Sequence, residues 1–174
     1  RRLVDAYSRP GTIQSLAGVT TPADRAVLAT LVDGETTLCS PDETLREALA
    51  SQGRLSEAPI ENAAIVHSQG ATDGAVADAP RGSLKEPSRG ATVVYRVSAL
   101  ASGAAPIEDA HEGTTVGIEG PGVPDRRTLT AALPEDEFAA VADAQSTYPR
   151  GVDVVLATAD EIVGLPRSID LEVV

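Results

Sequence analysis

The chain has 174 residues, 42% of them apolar, so it is long enough for one domain with its own hydrophobic core. Its net charge of −12 and the lack of any basic run argue against binding to nucleic acids or to anionic membranes. Cys39 is the only cysteine and no run of about 18 apolar residues occurs, which excludes an intrachain disulfide and predicts a cytoplasmic protein without a membrane-spanning helix.

The first predicted element is a helix over 1–7. Because the chain opens on Arg1 and contains no methionine, we expect this helix to begin upstream of Arg1. A second helix follows Thr21 and Pro22, in which the threonine hydroxyl is placed to cap the helix and the proline fits its first turn. Apolar side chains then recur every three to four residues until Gly34, where this helix is predicted to end.

A third helix is predicted after Ser40, because Ser40-Pro41-Asp42-Glu43 has the pattern of a capping box. In that pattern the Ser40 hydroxyl caps the helix while Glu43 reaches back to the Ser40 amide, and Gly53 ends the helix. A fourth helix is predicted over 134–145, where three acidic residues near its start suit the positive end of the helix dipole.

Strand patterns alternate with these helices. In the segment 92–99, Val93, Tyr95 and Val97 share one face, while Val94, Arg96 and Ser98 share the other. The segment 152–157 is almost entirely apolar, as is typical of a strand covered on both faces, and a turn after it predicts a hairpin. The predicted strands are 36–39, 63–67, 92–99, 114–118, 152–157 and 161–165.

This order of elements predicts a single α/β domain over 1–174. We expect a three-layer α/β/α architecture, in which one mixed sheet lies between two layers of helices. Two stretches rich in small and polar residues, 70–90 and 102–113, are expected to form loops, and the first is predicted to be flexible.

Two constellations of reactive side chains have simpler explanations. His67, Ser68 and Asp73 have the composition of a hydrolase triad, but neighbouring residues on a strand point to opposite faces, so a histidine at a strand end is favoured. A metal site would need Cys39, His67 and His111 to converge from three segments, and the acidic loop around His111 matches no calcium-loop spacing.

Glycine-rich and arginine-bearing turns are a second group of candidates. Gly120-Pro121-Gly122 lacks the lysine and hydroxyl of a phosphate-binding loop, so a plain turn is expected. Arginines stand at four turns, where guanidinium groups can grip a phosphate or a partner carboxylate. They also suit internal ion pairs or simple solubility, and the sequence leaves these alternatives open. These arginines are Arg9, Arg89, Arg150 and Arg167.

An ordered set of short motifs covers nearly the whole chain. The motifs are Asp5-Ala6-Tyr7-Ser8-Arg9-Pro10-Gly11, Leu31-Val32-Asp33-Gly34-Glu35-Thr36, Gly90-Ala91-Thr92, Gly120-Pro121-Gly122-Val123, Tyr148-Pro149-Arg150-Gly151-Val152-Asp153 and Leu165-Pro166-Arg167-Ser168-Ile169. In this order and spacing they resemble the PhnH family, the H subunit of the bacterial carbon–phosphorus lyase system. Tyr7 stands where the family has methionine, and Arg150 stands where it has an apolar residue.

The resemblance implies a subunit of a multiprotein enzyme that breaks down phosphonates. In that system a core complex converts ATP and an alkylphosphonate to ribose 1-alkylphosphonate 5-triphosphate and releases adenine. The implied role of this chain is a non-catalytic or assembly subunit of that transferase complex, with the other core subunits as partners. No catalytic, cofactor-binding or metal-binding residue is expected, and the candidate anion or partner contacts are Arg9, Arg150, Arg167 and Ser168.

The family also resembles the fold of pyridoxal-phosphate-dependent transferases without their cofactor site, so no cofactor is expected. Schiff-base chemistry requires a positioned lysine, and the only lysine, Lys85, lies in a predicted loop. Two alternatives remain, an autonomous phosphate- or nucleotide-binding module and a pyridoxal-phosphate enzyme that uses Lys85. The apolar segments 152–157 and 161–163 predict a homodimer of the isolated chain if a face of the sheet or an apolar stripe of a helix stays uncovered.

Overall fold

A mixed β-sheet of seven strands forms the centre of the molecule, and a second, antiparallel sheet of four strands packs against it. The computed structural model describes residues 1–107 and 113–174. Its helices are α1 (Arg2–Ser8), α2 (Ala23–Leu31), α3 (Glu43–Ser51) and α4 (Glu135–Gln145). Its strands are β1 (Gln14–Ser15), β2 (Thr37–Cys39), β3 (Ser56–Glu57), β4 (Ile65–Gln69), β5 (Thr92–Arg96), β6 (Leu100–Ser102), β7 (Thr114–Glu119), β8 (Arg127–Ala131), β9 (Asp153–Ala157), β10 (Glu161–Leu165) and β11 (Asp170–Val173).

The central sheet has the strand order β1-β10-β9-β5-β4-β2-β3. The five strands from β9 to β3 in this order run parallel, whereas β10 and β1 are antiparallel additions. The predicted hairpin is confirmed by the pairing of Ile162 with Ala157. We call the rim where β2, β4, β5 and β9 end the carboxyl edge, and the rim where β5 and β9 begin the amino edge.

Helices α1, α2 and α3 cover one face of this sheet. Leu28 of α2 and Leu49 of α3 are buried in one core with the strand residues that point to this face, among them Val94 and Val155. Each aliphatic side chain buried in this way contributes roughly 1.5–3 kcal/mol relative to an exposed one. The apolar residues whose spacing predicted α2 and α3 are therefore confirmed as the residues that pack on the sheet. Within the described ranges, no helix is long and apolar enough to cross a membrane.

The opposite face is covered by α4 together with the second sheet, whose order is β11-β7-β8-β6. Phe138 of α4 and Ile118 and Leu129 of that sheet bury their side chains in one common core. The mixed sheet with helices on both faces is as predicted, but the outer layer on this side is not purely helical. The sequence did not predict β8 and β11, which have few large apolar residues of their own and depend on pairing with β7.

Strands β9 and β10 are buried on both faces. Val154 and Leu156 point towards α4, whereas Val155, Ala157 and Ile162 join the core beneath α2. The apolar surface from which the sequence predicted a homodimer is therefore covered within the protomer. These strands therefore leave no apolar face uncovered, while an uncovered helix stripe stays possible and the dimer itself stays a prediction.

Both predicted helix caps differ in the structure. Pro22, not Thr21, is the N-cap residue of α2, and its ring has no acceptor that could cap the helix. The Ala23 N–H donates to the Ala159 carbonyl at 2.9 Å. In α3 the cap is Asp42, whose Oδ1 accepts from the Leu45 N–H at 3.0 Å. The Ser40 hydroxyl accepts instead from the Asp42 N–H at 3.2 Å, before the helix begins.

The predicted loop over 70–90 contains two short 3₁₀ turns, Ala75–Asp78 and Pro87–Arg89. The buried carboxylate of Glu137 on α4 holds its first part. This carboxylate accepts from the Thr72 hydroxyl at 2.6 Å, the Tyr95 phenol at 2.6 Å and the Gly74 N–H at 3.2 Å. Three donors thus provide this buried carboxyl group with hydrogen bonds in place of water.

Candidate functional site

The structure places Arg167 in a dense set of internal contacts at the amino edge. Its Nη2 lies 2.5 Å from Asp153 Oδ2, and both its Nε and its backbone N–H donate to Asp153 Oδ1, at 3.1 and 2.9 Å. The remaining donors meet the carbonyls of Pro87 and Gly90. The Arg167 side chain is only 13% exposed, so the ion pair is largely withdrawn from water.

Glycines allow this arrangement. A Cβ on Gly90 would clash with the Gly151 carbonyl and with the Arg167 guanidinium, so only glycine fits there. We call Gly90, Gly151, Asp153 and Arg167 the arginine junction. The junction joins three of the motifs noted in the sequence, which stand far apart along the chain. These motif residues therefore hold the fold together at the amino edge.

The other three candidate contacts are less enclosed. Arg9 is exposed at the end of α1. Arg150 and Ser168 are half-buried beside the arginine junction, and the Arg150 Nε is buried without a partner among the described residues. Tyr7 lies two residues before Arg9. Burial raises the pKa of its phenol, and the negative charge of the nearby Asp153 at the junction raises it further.

The Gly120-Pro121-Gly122 segment is a turn, as predicted. A Cβ on Gly122 would lie 2.7 Å from the Ser8 carbonyl, so this turn packs directly on the N-terminal motif. Arg127 donates to the Pro10 carbonyl from the neighbouring strand. The contact between these two motifs is therefore structural, and the turn does not form a phosphate-binding loop.

A buried polar network, which the sequence did not predict, lies at the carboxyl edge. His67 Nε2 lies 3.2 Å from Asp24 Oδ2, and His67 Nδ1 lies 2.8 Å from the Ser40 hydroxyl. Burial by itself would raise the pKa of the Asp24 carboxyl, but the hydrogen bond with His67 and the charge of Arg96 lower it below its ordinary value of 3.8. Asp24 is therefore ionised at neutral pH.

Ser40, His67 and Asp24 have the composition of a nucleophilic triad, but their surroundings do not suit that chemistry. Pro41 follows the serine and has no N–H, so the amide that commonly stabilises the oxyanion beside such a nucleophile is missing. The Ser40 hydroxyl also accepts a hydrogen bond from the Asp42 N–H. The network is best explained as a polar link between α2, β2 and β4.

Asp42 forms a second polar link at the same edge. Its Oδ2 accepts from Arg25 at 2.5 Å and from the Gln69 amide at 3.0 Å. Because Asp42 also caps α3, this carboxylate ties two helices to the end of β4. The positive charge of Arg25 is thereby neutralised within the protein.

A cavity of about 620 Å³ opens beside these links. Its volume is within the range of small-molecule sites. Arg96 of β5 is its charged residue. The Arg96 side chain is 40% exposed, and its Nη1 lies 3.8 Å from Asp24 Oδ2, which is too long for a hydrogen bond. We call this space the carboxyl-edge cavity, and it is lined by Gln69, Gly70, Arg96, Val97, Ser98, Ala132 and Ala159.

The two reactive constellations weighed in the sequence do not assemble. Ser68 points away from His67, and its hydroxyl meets the Ala71 carbonyl at 3.4 Å. Cys39 packs on the α4 side of the sheet, whereas His67 faces α2, so these two cannot share a metal ion. Within residues 1–107 and 113–174, no three His, Cys, Asp or Glu side chains are grouped to hold a metal. His111 lies outside the described residues.

The predicted strand ends hid the carboxyl edge, because Gln69 lies beyond the predicted strand 63–67 and Arg96 lies inside the predicted strand 92–99. In the structure three parallel strands end in polar residues or are followed directly by one, and the carboxyl ends of parallel strands meet at one rim. Ser40, Gln69 and Arg96 stand at or just after such ends. Asp24 had no comparable signal, since an acidic residue in the first turn of a helix is ordinary.

Comparison with known proteins finds matches over nearly the whole chain. The family model described as bacterial phosphonate metabolism protein (PhnH) matches residues 1–172. HtxG of Stutzerimonas stutzeri, a protein provisionally named as a C-P lyase subunit, is 31% identical over 170 residues, which make up 97% of this chain and 81% of HtxG. The matched region includes the arginine junction and the carboxyl-edge cavity.

Proposed function

Because this chain belongs to the PhnH family of bacterial phosphonate metabolism proteins, we propose that it is a non-catalytic assembly subunit of a carbon–phosphorus lyase core complex. The observation that carries this proposal is the family match over residues 1–172, which the provisional name of HtxG supports. The complex, not this chain alone, would convert ATP and an alkylphosphonate to ribose 1-alkylphosphonate 5-triphosphate and adenine.

The geometry favours an assembly role over catalysis. Several residues in the family motifs make structural contacts, as Arg167 and Asp153 do at the arginine junction. The one triad-like group, at Ser40, lacks the amide that its chemistry would need. A subunit of this kind would act through its surface and work in the cytoplasm beside its partners.

We assign different parts to the four candidate contacts. Arg9, Arg150 and Ser168 would contact other core subunits, because they lie exposed or half-buried around the amino edge. Arg167 would support that surface from within, since Asp153 and two carbonyls already accept from its guanidinium. An exposed guanidinium beside a partner carboxylate is a common anchor of protein interfaces.

The likeness to pyridoxal-phosphate-dependent transferases is also part of this proposal and concerns the fold only. The mostly parallel central sheet between helices supports it. Lys85 is exposed and does not line the carboxyl-edge cavity, so the alternative of a pyridoxal-phosphate enzyme gains no support. The alternative of a phosphate-binding module is favoured by the cavity and is developed below.

Co-expression tests the assembly role. A tagged form of this chain, produced with the remaining core subunits of its own carbon–phosphorus lyase system, should co-purify with them in a complex of fixed stoichiometry. Replacement of both Arg9 and Arg150 by glutamate should reduce the yield of the complex. The matched control is Arg89→Glu, whose side chain is 75% exposed and should not affect assembly. A wild-type chain that elutes alone would contradict the proposal.

A further inference from the structure

We propose that the carboxyl-edge cavity binds a small organic ligand that carries a phosphonate or phosphate group, with Arg96 as the main contact of that group. The choice of a phosphorus oxyanion rests on the proposed function in phosphonate metabolism, while the place and charge of the cavity come from its own residues.

The first argument is position. Gln69 ends β4 and Gly70 follows it, Arg96 ends β5, and Ala159 lies in the turn after β9. Ligands of open α/β sheets bind outside the carboxyl ends of the strands, because loops and helix N-termini converge there. The N-terminus of α2 lies at this edge, since the Ala23 N–H donates to the Ala159 carbonyl. The helix dipole therefore adds positive potential near the cavity.

The second argument is the state of Arg96. Within the described residues its side chain makes no hydrogen bond, and Asp24, its nearest carboxylate, is 3.8 Å away. The negative charge of Asp24 attracts the guanidinium, but the Asp24 carboxylate makes its closer contact with His67. Arginine presents paired N–H groups that match two oxygens of a phosphonate or phosphate. Arg96 therefore has donors available for a ligand.

Two other arginines, one beside a cavity and one near the carboxyl edge, are neutralised by closer carboxylates. Arg126 lines a separate polar cavity of about 380 Å³, but its guanidinium is bound by Glu119 at 3.2 Å and by Glu172 at 2.6 Å. Arg25, close to the carboxyl edge, is bound by Asp42. An anion that entered either place would meet carboxylates already paired with the guanidinium. Arg96 differs because only the more distant Asp24 faces it.

The third argument concerns the organic part of the ligand. The cavity volume of about 620 Å³ is much larger than one phosphate group needs. Val97, Ala132 and Ala159 give part of the wall a small apolar surface, while Ser98 and Gln69 add polar groups. An alkyl or sugar-like substituent fits this mixture. Inorganic phosphate alone would leave most of the space to water.

Isothermal titration of the full chain with methylphosphonate, ATP and inorganic phosphate tests the proposal. We expect binding of methylphosphonate or ATP, and which of them binds identifies the source of the oxyanion. Arg96→Gln should weaken that binding by about tenfold or more, because a charged, two-point contact is lost. The matched control Arg126→Gln, an arginine that is 43% exposed, should bind like the wild type.

A second variant guards against misfolding of Arg96→Gln. Ala159→Asp leaves Arg96 in place and adds a negative charge to the wall, so it should also weaken binding. The proposal is overturned if neither organic ligand binds, if inorganic phosphate alone binds, or if both cavity variants bind like the wild type. If Arg96→Gln loses ligand binding but still co-purifies with the other core subunits, the ligand site is independent of the assembly role. Binding by a wild-type chain that joins no complex would sink only the proposed function.

Discussion

At the scale of single residues, two arginines differ in the partners that their guanidinium groups have within the protein. Arg167 stands in a motif and was a natural candidate for a ligand contact, yet its guanidinium is bound within the protein by Asp153 and backbone carbonyls. Arg96 stands in no motif, yet it faces a cavity without a close partner. The difference depends on which acceptors surround each guanidinium in space, and a sequence does not state this.

The arginine junction should be a main contributor to stability. We expect Arg167→Ala to lower the free energy of unfolding by about 2–3 kcal/mol, because it leaves the Asp153 carboxylate and two carbonyls without their donor. Arg167→Lys should recover only part of the loss, since an ammonium group cannot make the two-point contact. Urea unfolding measures both variants. Arg9→Ala, at an exposed position, is the control and should stay within about 0.5 kcal/mol of the wild type. An Arg167→Ala protein as stable as that control would show that the junction is not structural.

At the scale of elements, helix starts are decided by neighbours as much as by local sequence. The Thr21-Pro22 pair has a good capping pattern, but the Ala159 carbonyl already accepts the first free N–H of α2. In α3 the side chain two residues closer to the helix, Asp42, takes the capping position from Ser40. Ser40 is then free to bind His67. Each displaced cap is explained by a contact with a different segment.

Capping variants test this account. Thr21→Ala should change the free energy of unfolding by no more than about 0.5 kcal/mol, because the threonine caps nothing. Asp42→Ala should cost about 1–2 kcal/mol for the cap alone, and more because Arg25 and Gln69 lose their acceptor. Thermal or urea unfolding of the two variants side by side gives the comparison. Equal losses for both would restore Thr21 as the cap of α2.

At the scale of the whole molecule, helices on one face and α4 with the second sheet on the other bury the surface that had predicted self-association. Another apolar surface remains on α1 and α2. Val4 is 67% exposed, and Val19 is 47% exposed beside a groove of about 240 Å³ that Leu3 and Leu16 also line. If the isolated chain forms the predicted homodimer, we expect this surface to be its interface. The net charge of −12 opposes association, but salt screens much of it.

Light scattering on the isolated chain tests the homodimer. We expect a mass near twice 17.8 kDa at micromolar concentration, and a mass near 17.8 kDa for Val19→Glu, because a charge at the centre of an apolar contact is costly. Leu84→Glu is the matched control, since Leu84 is 75% exposed and lies outside the groove, so its dimer should persist. A wild-type mass near one protomer contradicts the prediction.

Patterns along the chain were sufficient to predict the features that depend on neighbouring residues. The stripes of α2 to α4, the hairpin of β9 and β10 and the burial of β9 follow from periodicity within about twenty residues, and the spacing of the motifs indicated the family. The second sheet, the caps and the carboxyl edge, in contrast, depend on contacts between distant segments in the folded molecule. His67 meets Asp24 across 43 residues and Ser40 across 27, and Arg167 reaches Gly90 across 77. Such contacts depend on how strands are ordered in a sheet, and many orders are compatible with the same local pattern, so spacing along the chain does not fix them.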